Sequence, residues 1–439
     1  DENPFQLDDV QLAAYRNRHI GFVFQDHHLL PQLSVLENVL IPAVAEGRPD
    51  DATVARARDL LDRVGLSQRL DHRPAELSGG MRKRAALARS LALDPPLLFL
   101  DEPTAVLTPQ ESTRLFEVLV RLRDEGKSIL FISHKMREVM EISDRVTVLK
   151  KGRSLVTLTR GEYNENKLAS LMIGEDQIPE WQKSFRTSKE LALEIKNLSV
   201  RNDRGLADLD NFNMKIHRGQ ILGIAGVAGN GQKALAEVLT GLKEASSGRI
   251  MAGERDITNS SARGSYIAGI AHIPEDRKSI GIAPDMTVDE NLIMKNFTSP
   301  SFRRGIFQDR AAIRRNAAEK IDQFAIKAGP AGNPVRYLSG GNIQKVIIAR
   351  ELSENPAVLV ALYPTRGLDI GSAEYVHKVI ADGASNGMST ILISEDLDEL
   401  LKLSDEIVVM FRGRLAGSVD PETATREEIG LLMSGEVQT

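Results

Sequence analysis

The chain has 439 residues, room for two or three domains with full-sized cores, and its lack of cysteine excludes disulfides and fits a reducing compartment. With a formal net charge of −5 and a pI of about 6.0, nothing argues for a nucleic-acid-binding surface. No apolar run of about 18 residues predicts a transmembrane helix and no signal peptide is read, so any membrane role has to come through a partner.

In chain order, residues 1–24 read as a short loop and then a strand over 20–24, with Gln25 directly after it and Ser34-Val35-Leu36-Glu37-Asn38-Val39 beyond. Residues 51–70 carry Val54, Ala57, Leu60, Leu61 and Val64 at helical spacing. Leu77-Ser78-Gly79-Gly80 opens a helical run over 81–93, and bare backbone N–H groups at such a helix start are suited to grip an anion. The charges of Met81-Arg82-Lys83-Arg84 on its first turns read as a solvated face. An apolar, buried strand over 97–100 then delivers Asp101-Glu102-Pro103-Thr104. Two carboxylates at a strand end are how an enzyme sets a metal-holding acid and a water-activating base beside a phosphate. A helix over 111–123 and a second buried strand, Ser128–Ile132, lead to Ser133-His134. Residues 176–190, with Pro179 and Trp181, break the periodicity and read as a linker.

The layout returns in the second half as Leu338-Ser339-Gly340-Gly341, a helical run, and the apolar stretch 358–362 followed by Tyr363-Pro364-Thr365. Leu77 and Leu338, His134 and Glu395, and Asp144 and Asp405 are each 261 positions apart, and so constant an offset indicates duplication. This half also holds a strand over 221–225 followed by Gly226-Val227-Ala228-Gly229-Asn230-Gly231-Gln232-Lys233. A phosphate loop needs glycines that let backbone N–H groups wrap the phosphates, a lysine that reaches the β and γ oxygens, and a Ser or Thr hydroxyl that holds Mg²⁺. Gly226, Gly229 and Gly231 complete the scaffold, but Gln232 takes the lysine's place and Lys233 the hydroxyl's. Leu362 and Tyr363 stand where Asp101 and Glu102 do, Glu275 where Gln25 does, and Glu395 where His134 does. The second half therefore predicts a phosphate cradle without hydrolytic machinery.

The signature Leu-Ser-Gly-Gly, twice, at this distance from the strand-Asp-Glu motif resembles the ATP-binding cassette (ABC) family over nearly the whole chain. The resemblance implies an α/β fold of two tandem ABC nucleotide-binding domains of the P-loop NTPase type, each with a helical insertion before its signature. The first cassette is read over 1–175, the linker over 176–190 and the second cassette over 191–439. ATP and Mg²⁺ are the implied cofactors. Asp101, with Gln25, is then the metal holder, Glu102 orients or deprotonates the water, and His134 contacts the γ-phosphate. Ser78, Gly79 and Gly80, and Ser339, Gly340, Gly341 and Gln344, fall at the family's signature contacts to nucleotide. Gly226, Gly229, Gly231 and Lys233 fall at its phosphate loop. Family cassettes pair the Walker motifs of one copy with the signature of the other. One hydrolytic site is therefore expected on the first copy's acids, and a degenerate sister on the loop 226–233. Thr108 replaces the family's aspartate in the loop that crosses between cassettes.

Ile273-Pro274-Glu275-Asp276-Arg277-Lys278 and Pro364-Thr365-Arg366-Gly367-Leu368-Asp369 resemble the tandem ATPases of bacterial sugar and nucleoside importers. That branch implies integral-membrane permease subunits and a solute-binding protein as partners, no nucleic acid, and a peripheral place on the cytoplasmic face of the inner membrane. Residues 15–102 look more like lipoprotein-release and lipid-asymmetry ATPases, which predicts a mosaic. Gly226 precedes Glu275 by 49 positions, and going back as far from Gln25 passes residue 1. The expectation is a first cassette truncated before its phosphate loop and incomplete for catalysis by itself. A non-catalytic fragment or nucleotide-binding regulator stays open beside the importer reading, as does the ATPase of a lipid or lipoprotein system. A soluble ribosome-associated or DNA-repair ABC protein is disfavoured by the short linker and the missing cysteines.

Overall fold

The computed structural model describes residues 3–435 other than 25, 48, 105, 106, 108, 134, 151, 174–187, 203, 228, 330 and 331. They fall into two compact units, 1–175 and 176–439. Gln25, His134, Thr108 and nearly all of the 176–190 linker thus lie outside the described residues.

In the first unit three parallel strands lie in the order Ile20–Val23, Leu97–Asp101, Ser128–Ile132. Parallel neighbours need long crossovers. Helices Val35–Glu46, Asp51–Arg63 and Gly79–Ser90 fill the first crossover, and Pro109–Asp124 the second. Each of the first three helices starts where a short polar side chain caps it: Ser34 in a box with Glu37, Asp50 through Thr53, and Ser78 through Met81. Helix Asp51–Arg63 buries Ala57, Leu60 and Leu61 along one stripe, as their spacing predicts.

Two readings need correction here. Residues 9–19, read as loop, form the helix Asp9–His19, closed by a capping box between Asp8 and Gln11; it buries no side chain, so no apolar period marks it in the sequence. Strand Leu97–Asp101 is sealed on one face only, through Leu98 and Leu100, and Ser128–Ile132 alternates half-buried Ile129 and Phe131 with exposed Leu130 and Ile132.

The second unit holds six strands in the order Ile270–Ile273, Val358–Leu362, Ser389–Ile393, Ile221–Ala225, Glu406–Phe411, Arg414–Val419. All neighbours are parallel except the last pair. Three of these strands, Val358–Leu362, Ser389–Ile393 and Ile221–Ala225, are buried at every position. Helix Gln232–Leu239 and the antiparallel strands Leu191–Arg201, Ala207–His217 and Ser247–Ala252 share a core with one face of the sheet. Helices Gly340–Glu351 and Ile370–Ser385 share a core with the other. Double coverage is what a continuous Val/Ile/Leu strand requires.

Candidate functional site

Asp101 closes its strand opposite Ile132. Glu102 follows in a left-handed conformation, φ +45, and its N–H donates to the Ile132 carbonyl at 2.9 Å. A non-glycine residue held there costs about 1–3 kcal/mol, so the surrounding structure has to enforce it. The enforcement is visible one turn on. The Thr104 hydroxyl, fully buried, donates to the Glu138 carboxylate at 2.6 Å, and that carboxylate also accepts from the Ser133 hydroxyl at 3.1 Å. The loop after the two acids is thus fastened to helix Met136–Ile142, which begins just past position 134.

The signature helix of this unit corrects the solvated reading of 81–84. Lys83 is 3% exposed and its Nζ donates to the Phe24 carbonyl at 2.8 Å; Arg84 donates to the Val64 carbonyl at 2.7 Å. Burial pulls the Lys83 pKa below its usual value against the opposing pull of Asp26, Asp101 and Glu102. Ser78, exposed, accepts the Met81 N–H as helix cap, and Gly79 and Gly80 follow as the first helical residues. A Cβ on Gly80 would strike the Glu111 carboxylate, which a larger residue there would have to displace.

The second unit repeats these contacts on altered chemistry. Tyr363 sits at φ +49 and donates its N–H to the Ile393 carbonyl at 2.8 Å, the turn that Glu102 makes. Burial, with the carboxylates of Glu395 and Glu275, raises the Tyr363 phenol well above its usual pKa, so it stays protonated at neutral pH and is no base. Glu275 is held by Arg366 at 2.7 Å, and Arg277 donates to the carbonyls of Arg366 and Gly367. Ser339 accepts from the Asn342 side chain at 2.8 Å; Gly340 packs near the Arg277 guanidinium, and a Cβ on Gly341 would strike the Ser372 hydroxyl. Gln344, expected among the nucleotide contacts, is 2% exposed and its amide donates to the Pro364 carbonyl at 2.7 Å. It ties the signature helix to the loop behind Tyr363 within its own unit.

The glycine-rich loop joins strand Ile221–Ala225 to helix Gln232–Leu239. Gly229 at φ +90 and Gly231 at φ +102 take conformations closed to most side chains. Gln232, 2% exposed, folds back into the loop and donates to the Val227 carbonyl at 3.1 Å; a Cβ on Gly226 would collide with its amide. Lys233 remains exposed, 3.8 Å from Glu237. Beside it lies a cavity of about 570 Å³, lined by Lys233, Glu237, His272, Glu275, Leu362 and Arg366 among others.

The sequence model of the family described as ABC transporter matches residues 3–105 and 209–365, more than half of the chain. The chain belongs to the ABC transporter family. It is 38% identical to the glucose import ATP-binding protein TsgD13 of Haloferax volcanii, over 98% of this chain and 84% of that one. It is 37% identical to the nucleoside import ATP-binding protein NupA of Lactococcus lactis subsp. cremoris, over 98% of this chain and 85% of that one. An RNase-L inhibitor of known structure matches 99% of this chain and 82% of its own at a TM-score of 0.65 and 20% identity, a likeness of fold alone. This ABC chain is therefore an α/β protein with two ABC segments from an ATP-binding family. Among the described residues no helix is long and apolar enough to cross a membrane.

Three working parts of this ABC chain escaped the motif reading. Asn38 and Asn291, each fully buried, pin the segment ahead of their helices: Asn38 accepts the Leu30 N–H at 2.7 Å and Asn291 the Ala283 N–H at 2.8 Å. The Thr104–Glu138 fastening recurs as Thr365–Glu399 at 2.8 Å. In the second unit Glu399 also takes the buried His377 at 2.9 Å, where Phe116 stands in the first. The recurring Glu-Asn pairs, 37–38 and 290–291, and the threonines and glutamates at the 261-residue offset were the available signals.

Proposed function

We propose that this chain is the ATP-binding, energy-coupling subunit of an importer for a sugar or a nucleoside. Hydrolysis belongs to the first cassette, and the loop of the second cassette binds nucleotide without turning it over. The carrying observation is the turn shared by Glu102 and Tyr363: one backbone, with two acids in the first unit and Leu362-Tyr363 in the second. The names of the relatives support import of a small solute. Their match runs through residues 15–102 as well, which favours that branch over a lipid-system ATPase.

The first cassette's donor set, a strand-end carboxylate and a glutamine amide, suits a hard oxygen-seeking cation. Asp101 and Gln25 would hold Mg²⁺, which when bound neutralises charge between the β- and γ-phosphates. Glu102 accepts a proton from the attacking water or orients it, and His134 donates to the terminal phosphate. The N–H groups behind Ser78 and Ser339 offer donors to a nucleotide's phosphates. An integral-membrane permease and a solute-binding protein are the partners, with the chain on the cytoplasmic face.

The test is reconstitution of the protein with its permease in vesicles. Solute-binding protein loaded with a sugar or a nucleoside should raise ATP hydrolysis several-fold over the unloaded protein. Failure to form a complex with any integral-membrane permease would sink the reading.

A further inference from the structure

The second cassette's loop poses a charge problem that rests on the reading above, in which this loop binds nucleotide. A nucleoside triphosphate ordinarily enters an ABC site with Mg²⁺, which demands a near-octahedral set of oxygens. The family positions that offer oxygens are here Lys233, Leu362 and Tyr363. Leu362 is 3% exposed inside the sheet, and the Tyr363 phenol keeps its proton. Of the carboxylates that line the cavity, Glu275 is engaged by Arg366 at 2.7 Å, Asp276 accepts the Lys278 and Ser279 N–H groups, and Glu237 faces Lys233 at 3.8 Å, while Glu395 does not line it. These residues do not fit Mg²⁺.

They do fit a phosphate chain that brings no metal. Gln232 is turned into the loop and bound to the Val227 carbonyl, and it does not line the cavity. Lys233 is the next residue, and it lines the cavity with Lys278 and Arg366. Its contact to Glu237, 3.8 Å away across one exposed helical turn with the lysine side chain 64% exposed, is weak and readily exchanged. A lysine ammonium is a compact point charge well suited to phosphate.

We propose that the second cassette takes its nucleotide without a divalent cation, with the Lys233 ammonium standing in for the metal's charge. The site is thus a metal-independent polyphosphate clamp, chemically distinct from the Mg²⁺-dependent first cassette.

The full chain carrying Glu102→Gln, loaded with 8-azido-ATP, is photolabelled in EDTA or in Mg²⁺, and the label is mapped to peptides within 208–243. Labelling of these peptides should agree within about twofold between the two conditions. Lys233→Ala should lower it about tenfold in EDTA, and Lys233→Arg, which keeps the positive charge, should hold it within about threefold. Lys233 is exposed, so both variants keep the fold. Labelling of the chain with Lys233 intact that requires Mg²⁺, or an unchanged Lys233→Ala, overturns the proposal and leaves the nucleotide reading standing. No labelling of 208–243 in either condition overturns both.

Discussion

Where strand Leu97–Asp101 ends, the first unit offers Asp101 and Glu102; where strand Val358–Leu362 ends, the second offers Leu362 and Tyr363. The backbone does not register the difference. Both turns are left-handed, both N–H groups donate to the last carbonyl of the neighbouring strand, and both following threonines bind a buried glutamate. Glycines 80 and 341 face a side chain at the same relative position, Glu111 and Ser372. A strained turn kept where its acids are gone answers to the sheet and the loop behind it, not to catalysis. What differs is side-chain chemistry placed on that frame. Lys83 ties the first signature helix to the Phe24 carbonyl, whereas Gln344, at the matching position, ties the second to the Pro364 carbonyl.

The sharpest break of this comparison is catalytic. In the permease-bound protein, Glu102→Gln should lower phosphate release at least about 100-fold, while Tyr363→Gln leaves it within about twofold. Tyr363→Glu should restore nothing, because Leu362 and Lys233 still deny the metal its oxygens. A gain from that single change would show that the two sites differ less than the sheet ends suggest.

The next largest effect is on stability. His377 lies 8% exposed with Glu399 at 2.9 Å and Glu374 at 3.5 Å, and Lys402 pairs with Glu374 at 2.6 Å. Burial would lower the His377 pKa, but the two carboxylates, Glu374 3.5 Å away and Glu399 in a hydrogen bond, outweigh it and hold the imidazole at about 9. The folded chain thus binds this proton more tightly than the unfolded one, whose histidine titrates near 6.5. The stabilisation is complete below about pH 6.5 and is lost as pH rises through about 9. His377→Phe, which copies Phe116, should cost about 3 kcal/mol at pH 6 by leaving the buried Glu399 carboxylate without its cation, since Glu374 keeps Lys402. Urea midpoints followed from pH 6 to 10 should fall for the wild type and flatten for the variant. A parallel pair of curves would refute the assignment.

The smallest effects test the exchanged tethers. Lys83→Gln should cost about 1–2 kcal/mol through the lost bond to Phe24. Gln344→Lys should cost more, since Leu362 and Tyr363 offer its buried ammonium no countercharge. Equal losses in thermal unfolding would mean that the acids of the first unit do not matter to Lys83.

Helical stripes with a buried side were legible from spacing alone, as in Asp51–Arg63, because burial writes a period into the sequence. Asp9–His19 buries nothing and left no such trace. Strands were legible as apolar runs, but a run of Leu and Phe does not say whether one face or two are covered. Ser128–Ile132 alternates, whereas its counterpart Ser389–Ile393 is sealed throughout beside Ile221–Ala225. The candidate site was legible in its residue types and not in their attachments, as the buried places of Gln344 and Lys83 show.

The sequence by itself determined the duplication, the α/β class and the loss of the acids at 362 and 363, because each is a matter of residue type at fixed spacing. The tertiary structure decided which polar side chains serve the scaffold. Lys83 meets a carbonyl 59 positions away and Gln344 one 20 positions away, while Gln232 closes on its own loop. A buried polar group must find a partner, and only the folded chain says which carbonyl stands within reach.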